Sequence, residues 1–495
     1  MPEISANIAS ELEMIVDKYL STEYLLNPYF RISKATPEVM RRYRSINTNS
    51  IKKIQILVLI FKCLIQFLLV VFQVFMSVIF YFQYLIYRRN IKAMDFAFLS
   101  HAIGQNIVQD TEDQFFALMP EYFKSEGFKI GVIYTNHNLF KYKRLLTKIQ
   151  HKSGDIERYL LPKFLTPNEN FSFLKTVLPQ SIRCIKIAMI LHNKDCIKSK
   201  ILFSAAINFF RRDTYANYLL VQRVREFAQI SQFSKLFMTL EGHSYEQLII
   251  DSLKKSDCRF ESFYYQHSPI TEAHLGLKSF FRQCKHDFTV FTTGEYYKKY
   301  LDDFFGSRQT IIIGSNKALK ENDMNEFKKV ENKKIDVLFA PEGTTEATIE
   351  ILSLIEFFQR EIPKYNLVLR YHPNLPYSKN IKRRVKKLSN SKNFLVSSNS
   401  LDWDLKNSKV VIYRSSAVGI EALKYNSTPI FFSEPGYDSL NVLPKSFQMS
   451  KESHTPPEAL DMVIEAHNVS YSNRDRDFKR FFEALNYNAL KKAVM

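Results

Sequence analysis

Glycine and cysteine are both scarce in this chain of 495 residues, and their scarcity excludes several classes of protein. None of the 12 glycines belongs to a G-x-G-x-x-G or G-x-x-x-x-G-K-[ST] pattern, so the common dinucleotide-binding and P-loop fingerprints are absent. The five cysteines form no C-x-x-C pair, which argues against a disulfide framework or a cysteine-bound metal and fits a reducing compartment. No G-x-S-x-G motif occurs, so an esterase-type serine is not expected.

Acidic residues are outnumbered, and the formal net charge is +19. Such a chain is expected to meet an anionic partner, which can be a nucleic acid, an acidic membrane surface, an anionic polymer or a phosphorylated small molecule. The sequence contains no recognisable nucleic-acid-binding module, so a nucleic acid is not the expected partner. No cleavable signal peptide is expected either, because residues 1–20 carry four acidic groups and no apolar core.

Residues 51–89 are the most apolar part of the sequence. The 25 residues from Cys63 to Tyr87 carry no charge, and a run of this length can cross the core of a bilayer. Three interpretations stay open for residues 54–87. They form a spanning helix, a helix or hairpin lying in the cytoplasmic leaflet with basic flanks on anionic headgroups, or buried helices of an α-rich subdomain. The expected location is the cytoplasmic side of the inner membrane, peripheral or single-span.

From residue 94 onward, short apolar runs alternate with helical stretches, which predicts parallel β-sheets. The predicted fold class is therefore α/β, with two Rossmann-like domains facing a cleft. The candidate strands are 96–99, 130–134, 159–161, 236–240, 260–265, 288–292, 310–313, 336–340, 367–371, 394–396, 410–413 and 430–432. The predicted organisation is a helical, membrane-associated segment at 1–90, a first domain at 91–317, a linker at 318–334, a second domain at 335–470 and a C-terminal helix at 471–495.

Polar pairs follow two of the apolar runs in the second domain, His372-Pro373 and Ser415-Ser416. Because ligands of open α/β sheets bind at the carboxyl ends of the strands, these pairs are expected in one site. Proline favours an extended residue before it, so His372 can be presented rigidly to a phosphate oxygen. The two hydroxyls and the N–H groups of the following turn can bind an anion, although serine is also an ordinary helix cap.

Two further segments of the second domain are candidates for the same site. Glu421 lies on the helix after the serine pair, where its carboxylate can take two ribose hydroxyls or pair with Lys424. The loop Glu342-Gly343-Thr344 follows the first strand of the domain, where it can close over a phosphate or sugar, or form a simple turn.

The first domain offers a base rather than a phosphate site. Glu241 follows the run at 236–240 and precedes Gly242, which allows a substrate to approach closely. A carboxylate there is a natural general base for an acceptor hydroxyl, and the competing interpretation is an acid at a helix N-terminus. His267, after the next strand, is a second base candidate or a binder of an anionic acceptor, and His243 is a third.

The order of these motifs resembles a known group of enzymes. An acid-glycine pair, then His-Pro, then Ser-Ser is similar to the bacterial sialyltransferases and polysialyltransferases and, in part, to capsule-type Kdo transferases. The stretch E-G-x-x-x-E-x-x-L followed by Y-Q-H is also similar to a family of surface-carbohydrate biosynthesis proteins. The resemblance covers roughly residues 235–440, and it departs at Leu240, where the sialyltransferase motif has a second acid.

The resemblance implies a metal-independent, inverting glycosyltransferase of the two-Rossmann GT-B type that uses CMP-activated acidic sugars. In that scheme Glu241 deprotonates the acceptor, His372 contacts the CMP phosphate, and Ser415 and Ser416 bind phosphate. No cofactor other than the nucleotide-sugar donor is implied.

The sequence therefore predicts an enzyme that moves a sialic-acid-like sugar or Kdo to a surface polysaccharide or lipid-linked glycan. The expected partners are the nucleotide sugar, an anionic glycan or glycolipid acceptor and the cytoplasmic membrane surface. The alternatives are a glycerophosphotransferase using CDP-glycerol, which shares the L-x-x-H-P and S-S pattern, and a UDP-sugar enzyme of the same fold. A third alternative, from another class, is a non-catalytic membrane-bound polysaccharide assembly protein.

Overall fold

The structure is a computed structural model that describes most of the chain between residues 81 and 495. The residues outside this description are 1–60, scattered positions between 62 and 80, and 103–112, 114, 137–155, 163, 193–195, 257, 275, 278–279, 282–283, 285, 306–309, 319–332, 373–377, 434, 436–439, 448–449 and 469–473. Most of the predicted membrane segment, most of the predicted linker and Pro373 therefore lie outside the described residues.

The first domain is built on a seven-stranded sheet in which all neighbouring strands are parallel. Its strands are β1 (Phe96–Ala102), β2 (Ile130–Asn136), β3 (Glu157–Leu160), β4 (Lys235–Thr239), β5 (Glu261–Tyr265), β6 (Thr289–Thr292) and β7 (Thr310–Ile312). The order across the sheet is β3-β2-β1-β4-β5-β6-β7. Each strand of the sheet was predicted from its apolar run, and central strands, which are covered on both faces, have the most continuous apolar sequences.

The second domain has a parallel sheet of six strands. They are β8 (Ile335–Ala340), β9 (Leu367–Leu369), β10 (Phe394–Val396), β11 (Ser408–Tyr413), β12 (Thr428–Phe432) and β13 (Lys451–Ser453), in the order β10-β9-β8-β11-β12-β13. The edge strand β13 was missed, because its sequence Lys-Glu-Ser is short and polar. The prediction of two Rossmann-like parallel sheets is thus confirmed.

Helices cover both sheets and supply the crossovers between strands. In the first domain they are α1 (Tyr81–Arg89), α2 (Met119–Ser125), α3 (Pro167–Leu191), α4 (Cys196–Asn208), α5 (Arg212–Ser231), α6 (Ser244–Lys255) and α7 (Glu295–Phe305). In the second they are α8 (Thr345–Glu361), α9 (Lys379–Leu388), α10 (Leu401–Lys406), α11 (Val418–Lys424) and α12 (Pro456–Asn468), followed by α13 (Arg474–Phe481) and α14 (Tyr487–Val494).

Stacked aromatic rings hold the centre of the first sheet together. Phe98, Phe237 and Phe263 lie side by side on β1, β4 and β5, with ring centroids 4.4 Å and 4.9 Å apart. Phe291 on β6 extends the row at 5.5 Å. All four rings are buried, and offset-stacked pairs add to the stability that burial gives. This packed row of rings joins β1, β4, β5 and β6 at the centre of the sheet.

The C-terminal segment is two helices rather than the single helix predicted at 471–495. The chain breaks between α13 and α14 because its backbone pairs with the first domain: Glu483 N–H donates to Thr293 at 2.8 Å, and Asn486 N–H donates to Ile313 at 2.8 Å. Asn486 then caps α14 by accepting a hydrogen bond from the N–H of Ala489 at 2.9 Å. Leu490 and Val494 of α14 pack into the core of the first domain.

The described end of the apolar N-terminal run is helix α1, which packs on the first domain through Tyr84 and Tyr87. Among the described residues, no helix is both long enough and apolar enough to cross a bilayer. The three interpretations of residues 54–87 remain predictions, because most of that segment lies outside the described residues.

Candidate functional site

Both sheets reverse their strand order at one point, and the candidate residues follow the strands on either side of it. The reversal falls between β1 and β4 in the first sheet and between β8 and β11 in the second. At such a point successive crossovers lie on opposite faces of the sheet, which leaves a crevice at the carboxyl ends of the strands. Glu241 follows β4, and Ser415 follows β11. Each domain therefore presents polar side chains at its own crevice.

Two imidazoles bind the carboxylate of Glu241. Nε2 of His243 lies 2.8 Å from Oε2 of Glu241, and Nε2 of His267 lies 3.2 Å from Oε1. The three candidates for the base therefore form one cluster, because β4 and β5 are parallel neighbours that end at the same edge. Each carboxylate oxygen has a second lone pair, so Glu241 can still accept a hydrogen bond from a substrate hydroxyl.

The electrostatics of this cluster keep Glu241 ionised. Burial acts to raise the pKa of Glu241, but the hydrogen bonds from His243 and His267 outweigh it and hold the pKa well below its usual range. For His243, burial acts to lower the pKa, and the bond to Glu241 together with the charges of Glu241 and Glu246 raises it instead. The pair therefore favours a carboxylate beside a protonated imidazole.

Accessibility separates the three members of the cluster. The side chains of Glu241 and His243 are 31% and 35% exposed, whereas His267 is 15% exposed. Nδ1 of His267 is buried and has no hydrogen-bond partner among the described residues. His267 is thus placed to hold the carboxylate, while Glu241 and His243 are the members that a substrate can reach.

Glu246 shapes the loop that carries Glu241. Its fully buried carboxylate accepts the backbone N–H of Glu241 at 3.1 Å and that of Gly242 at 3.0 Å. Burial raises the pKa of Glu246 to about 7, against the lowering effect of the charge on His243. Gly242 has φ +75°, and a Cβ there would lie 2.5 Å from the backbone nitrogen of Leu277. Only glycine fits such a position without displacing the neighbouring chain.

His101 belongs to the same edge and was missed by the sequence analysis, which ended the first strand at Leu99. It stands near the end of β1 and is buried, with Nδ1 2.6 Å from Oγ1 of Thr135 and Nε2 3.4 Å from the hydroxyl of Tyr245. The ring of Phe115 lies edge-on to both His101 and His267, at centroid distances of 5.4 Å and 4.8 Å. A Ser-His pair at the end of an apolar run was the available signal.

In the second domain, Gly343 lies directly against the ring of His372. A Cβ on Gly343 would be 2.6 Å from Nδ1 of His372, so the loop after β8 touches the residue that follows β9. Thr344 of the same loop caps α8, because its hydroxyl accepts the N–H of Ala347 at 3.3 Å. Burial lowers the pKa of His372, which makes it a neutral hydrogen-bond donor or acceptor at neutral pH.

Arg414 is a second residue that the sequence analysis did not single out. It follows β11 and is only 1% exposed, and its guanidinium pairs with Glu350 and lies 3.8 Å from the carboxylate of Glu342. Its Nη2 has no hydrogen-bond partner among the described residues. A buried guanidinium with an unused donor beside the serine pair can contribute to an anion site.

The serine pair forms a tight turn before α11. Ser415 has φ +49°, a conformation that non-glycine residues seldom adopt and that is found at binding sites. Ser416 accepts the N–H of Val418 at 3.4 Å, while the cap of α11 is Ala417 and makes no side-chain bond. Ordinary helix capping therefore does not account for both serines.

Glu421 lies at the junction of the two domains. Its Oε1 accepts a hydrogen bond from Nζ of Lys317 at 2.7 Å, and Lys317 follows the last strand of the first sheet. The ammonium of Lys317 also lies 5.7 Å from the ring centroid of Phe482. If Glu421 binds a ribose, its carboxylate contacts both the sugar and Lys317. The sequence analysis did not name Lys317 as a partner of Glu421.

The described residues contain no group of three or more His, Cys, Asp or Glu side chains that could hold a metal ion.

The chain was compared with known families, curated proteins and solved structures. No protein-family model and no curated protein matches the chain. Similar solved structures include a putative UDP-N-acetylglucosamine 2-epimerase from Listeria monocytogenes (10% identity, TM-score 0.48, covering 81% of this chain and 96% of that one). They also include a S. aureus TarM mutant in complex with fondaparinux, α-GlcNAc-glycerol and UDP. Its sequence identity is 8% and its TM-score 0.45, and the match covers 81% of this chain and 99% of that one.

A glycosyltransferase from Rickettsia africae is similar at 11% identity and a TM-score of 0.41, covering 81% of this chain and 97% of the other. These similar structures are glycosyltransferases and UDP-GlcNAc 2-epimerases, and the sequence identity to each of them is low. The two Rossmann-like parallel sheets are observed, and the resemblance to sialyltransferases, polysialyltransferases and Kdo transferases stays a prediction, as do the donor and the acceptor.

Proposed function

We propose that this protein is an inverting, metal-independent glycosyltransferase that moves an acidic sugar from a CMP-sugar to a surface polysaccharide or lipid-linked glycan. The observation that carries the proposal is the placement of two different chemistries at the two strand-order reversals. The reversal in the first sheet has the ionised carboxylate of Glu241. The reversal in the second sheet has Arg414, Ser415 and Ser416, whose donors suit a phosphate.

The first-domain edge supplies the proton acceptor. Glu241 takes the proton of the acceptor hydroxyl as that oxygen bonds to the anomeric carbon of the donor. His243 and His267 keep the carboxylate ionised and fix its orientation. The hydroxyl proton ends on Glu241, and the electron pair of the anomeric C–O bond leaves with the nucleotide phosphate.

The second-domain edge stabilises that leaving phosphate. Ser415 and Ser416 offer hydroxyls, Arg414 offers a buried positive charge, and His372 offers an uncharged N–H held in place against Gly343. Donors arranged before the reaction begins stabilise charge that develops in the transition state without reorganising. Glu421 would bind the ribose, and the loop Glu342-Gly343-Thr344 would lie over the phosphate or sugar.

The charge of the chain agrees with these partners. A net charge of +19 suits an anionic donor, an anionic glycan and an acidic inner leaflet. The proposed location is the cytoplasmic face of the inner membrane, where the apolar run from Cys63 to Tyr87 attaches the protein.

Nucleotide release tests the proposal. The full-length protein would be incubated with a glycan acceptor and, separately, with a CMP-sialic acid, CMP-Kdo, CDP-glycerol or UDP-sugar donor. We expect acceptor-dependent release of CMP, and we expect the Ser415→Ala/Ser416→Ala variant to release it at least tenfold more slowly. Nucleotide release from CDP-glycerol alone, or from a UDP-sugar alone, would replace CMP-sugar as the assigned donor. If no donor gave either nucleotide release or nucleotide binding, the proposal would be refuted.

A second double serine variant controls for effects of removing two hydroxyls anywhere on the protein. Ser389→Ala/Ser391→Ala removes two exposed hydroxyls near the end of α9. They lie away from the carboxyl ends of β8 and β11, where the strand order reverses. This control should retain the rate of the wild-type protein. Equal losses in both double variants would show that the effect does not arise from the serine pair.

A further inference from the structure

Helix α3 carries an exposed apolar stripe on the surface of the first domain. Phe171 is 72% exposed and Ile190 is 67% exposed, and three more large apolar residues lie between them at helical spacing: Leu178, Ile182 and Met189. The helix has 25 residues, which makes it about 37 Å long. Contiguous exposed apolar surface of this kind marks an interaction site rather than ordinary surface.

Cations are interleaved with this stripe. Lys175, Arg183 and Lys186 are all exposed on the same helix. The one acidic residue of α3 is Glu169, in its first turn, where it completes a capping box with Thr166 and binds the guanidinium of Arg223. The exposed face is therefore apolar and basic, and it carries no acidic side chain.

Arg223 joins α3 to the end of the apolar N-terminal run. This buried residue pairs with Glu169 of α3 and with Glu226 at 2.8 Å, and its guanidinium lies 4.5 Å from the ring centroid of Tyr84 in α1. Tyr84 also bonds Glu226 through its hydroxyl. The first turn of α3 is thus fixed to the helix that ends the run from Cys63 to Tyr87, so the apolar stripe starts beside that run.

We propose that the exposed face of α3 docks on an anionic phospholipid surface. Its large apolar side chains would enter the boundary between headgroups and acyl chains, while its three cations bind phosphate groups of the lipids. Docking through α3 and through the N-terminal run would hold the first domain at the membrane by two elements, as stable peripheral attachment requires.

The charges argue against two other occupants of this face. A second copy of the chain packed face to face would bring cations together without acids to balance them. The uncharged run from Cys63 to Tyr87 offers no counter-charge to Lys175, Arg183 and Lys186. An anionic lipid surface matches both the apolar and the basic members of the face.

A tryptophan reporter tests this docking in the full-length protein. The chain has one tryptophan, Trp403, so Phe171→Trp or Ile190→Trp in a Trp403→Phe background reports on α3 alone. Vesicles of phosphatidylcholine and phosphatidylglycerol carrying brominated acyl chains quench only a ring that enters the bilayer. We expect a blue shift and quenching at positions 171 and 190, and no quenching of Trp403 in the wild-type protein.

Two outcomes would overturn the inference. Vesicle binding without quenching at either reporter would mean that another element attaches the protein. A reporter already blue-shifted without vesicles, and unchanged when they are added, would mean that the N-terminal segment or a second copy covers α3. Both readouts are independent of any donor or acceptor, so they do not depend on the proposed enzymatic activity.

Charge substitutions give a second measurement. Lys175→Gln/Arg183→Gln/Lys186→Gln should weaken binding to the anionic vesicles by about fivefold for each cation removed. The matched triple variant Lys255→Gln/Lys299→Gln/Lys364→Gln removes three exposed cations elsewhere on the chain, and it should bind like the wild-type protein. Equal losses for both triples would show that net charge, and not the face of α3, governs binding.

Discussion

Oε2 of Glu241 lies 2.8 Å from Nε2 of His243, and the other oxygen of the same carboxylate is bound by His267. A carboxylate held by two imidazoles stays ionised and fixed in direction, at the edge where the first sheet reverses its strand order.

Replacing Glu241 by glutamine should abolish most of the transfer activity. Glutamine keeps the shape of the side chain but cannot accept the proton of the acceptor hydroxyl, so the rate should fall about 10²–10⁴-fold. The initial rate of CMP release measures this, with circular dichroism to verify folding. Glu261→Gln is the matched control, because Glu261 is an exposed acid at the opposite end of β5. A Glu241→Gln rate within threefold of the wild type would remove Glu241 from the reaction.

The stability contributed by His243 should depend on pH in a defined direction. Because its pKa is raised in the folded state, its contribution is fully present below the unfolded pKa of about 6.5 and is lost as pH rises through the folded pKa. His243→Gln should therefore destabilise the protein more at pH 6 than at pH 9. Urea unfolding of both proteins at the two pH values measures this, and a larger loss at pH 9 would contradict the ion pair.

Gly343→Ala should impair donor binding through His372. The new Cβ would lie 2.6 Å from Nδ1 of that ring, so the imidazole must move away from its position. We expect the KM for the donor to rise about tenfold, equivalent to about 1.4 kcal/mol. His372→Ala removes the clash together with the ring, so adding Gly343→Ala to it should cost little. Additive losses in this double-mutant cycle would show that the two residues act independently.

Glu421→Gln should weaken nucleotide binding, because an amide cannot accept two ribose hydroxyls as a carboxylate does. We expect the Kd for CMP to rise about tenfold. Lys317→Met removes the partner of Glu421 and should change the Kd by less than threefold, since the lysine is partly exposed and such ion pairs contribute little. Calorimetric titration measures both constants. Similar losses in the two variants would instead indicate that the pair braces the two domains.

Much of the fold could be predicted because buried parallel strands have distinctive apolar sequences. The strands β8 and β11, each with every residue but one buried, are examples. Strand β13 could not be predicted, because its pairing with β12 comes from tertiary context rather than from its own residues. The break between α13 and α14 likewise depends on backbone bonds to Thr293 and Ile313, which a helical periodicity does not reveal.

The residues of the candidate site that belong to strand-end motifs could be predicted from the sequence. The residues that contact them from elsewhere in the chain could not. Adjacent parallel strands bring Gly343 to His372 and Glu241 to His267, as the rule for open α/β sheets leads one to expect. His101 and Arg414 were missed because a Ser-His pair or an arginine at the end of an apolar run does not by itself mark a site. Their significance comes from burial and from contacts with residues far along the chain, such as Thr135, Glu342 and Glu350.

The most direct test of the account measures binding and transfer together in wild-type and Glu241→Gln protein. Each would be titrated with CMP and then assayed for transfer of labelled sugar from CMP-sialic acid or CMP-Kdo to a glycan acceptor. The account predicts transfer by the wild-type protein, and it predicts CMP binding within threefold of wild type but almost no transfer in the variant. Transfer at the wild-type rate by Glu241→Gln, or CMP binding by neither protein, would contradict it.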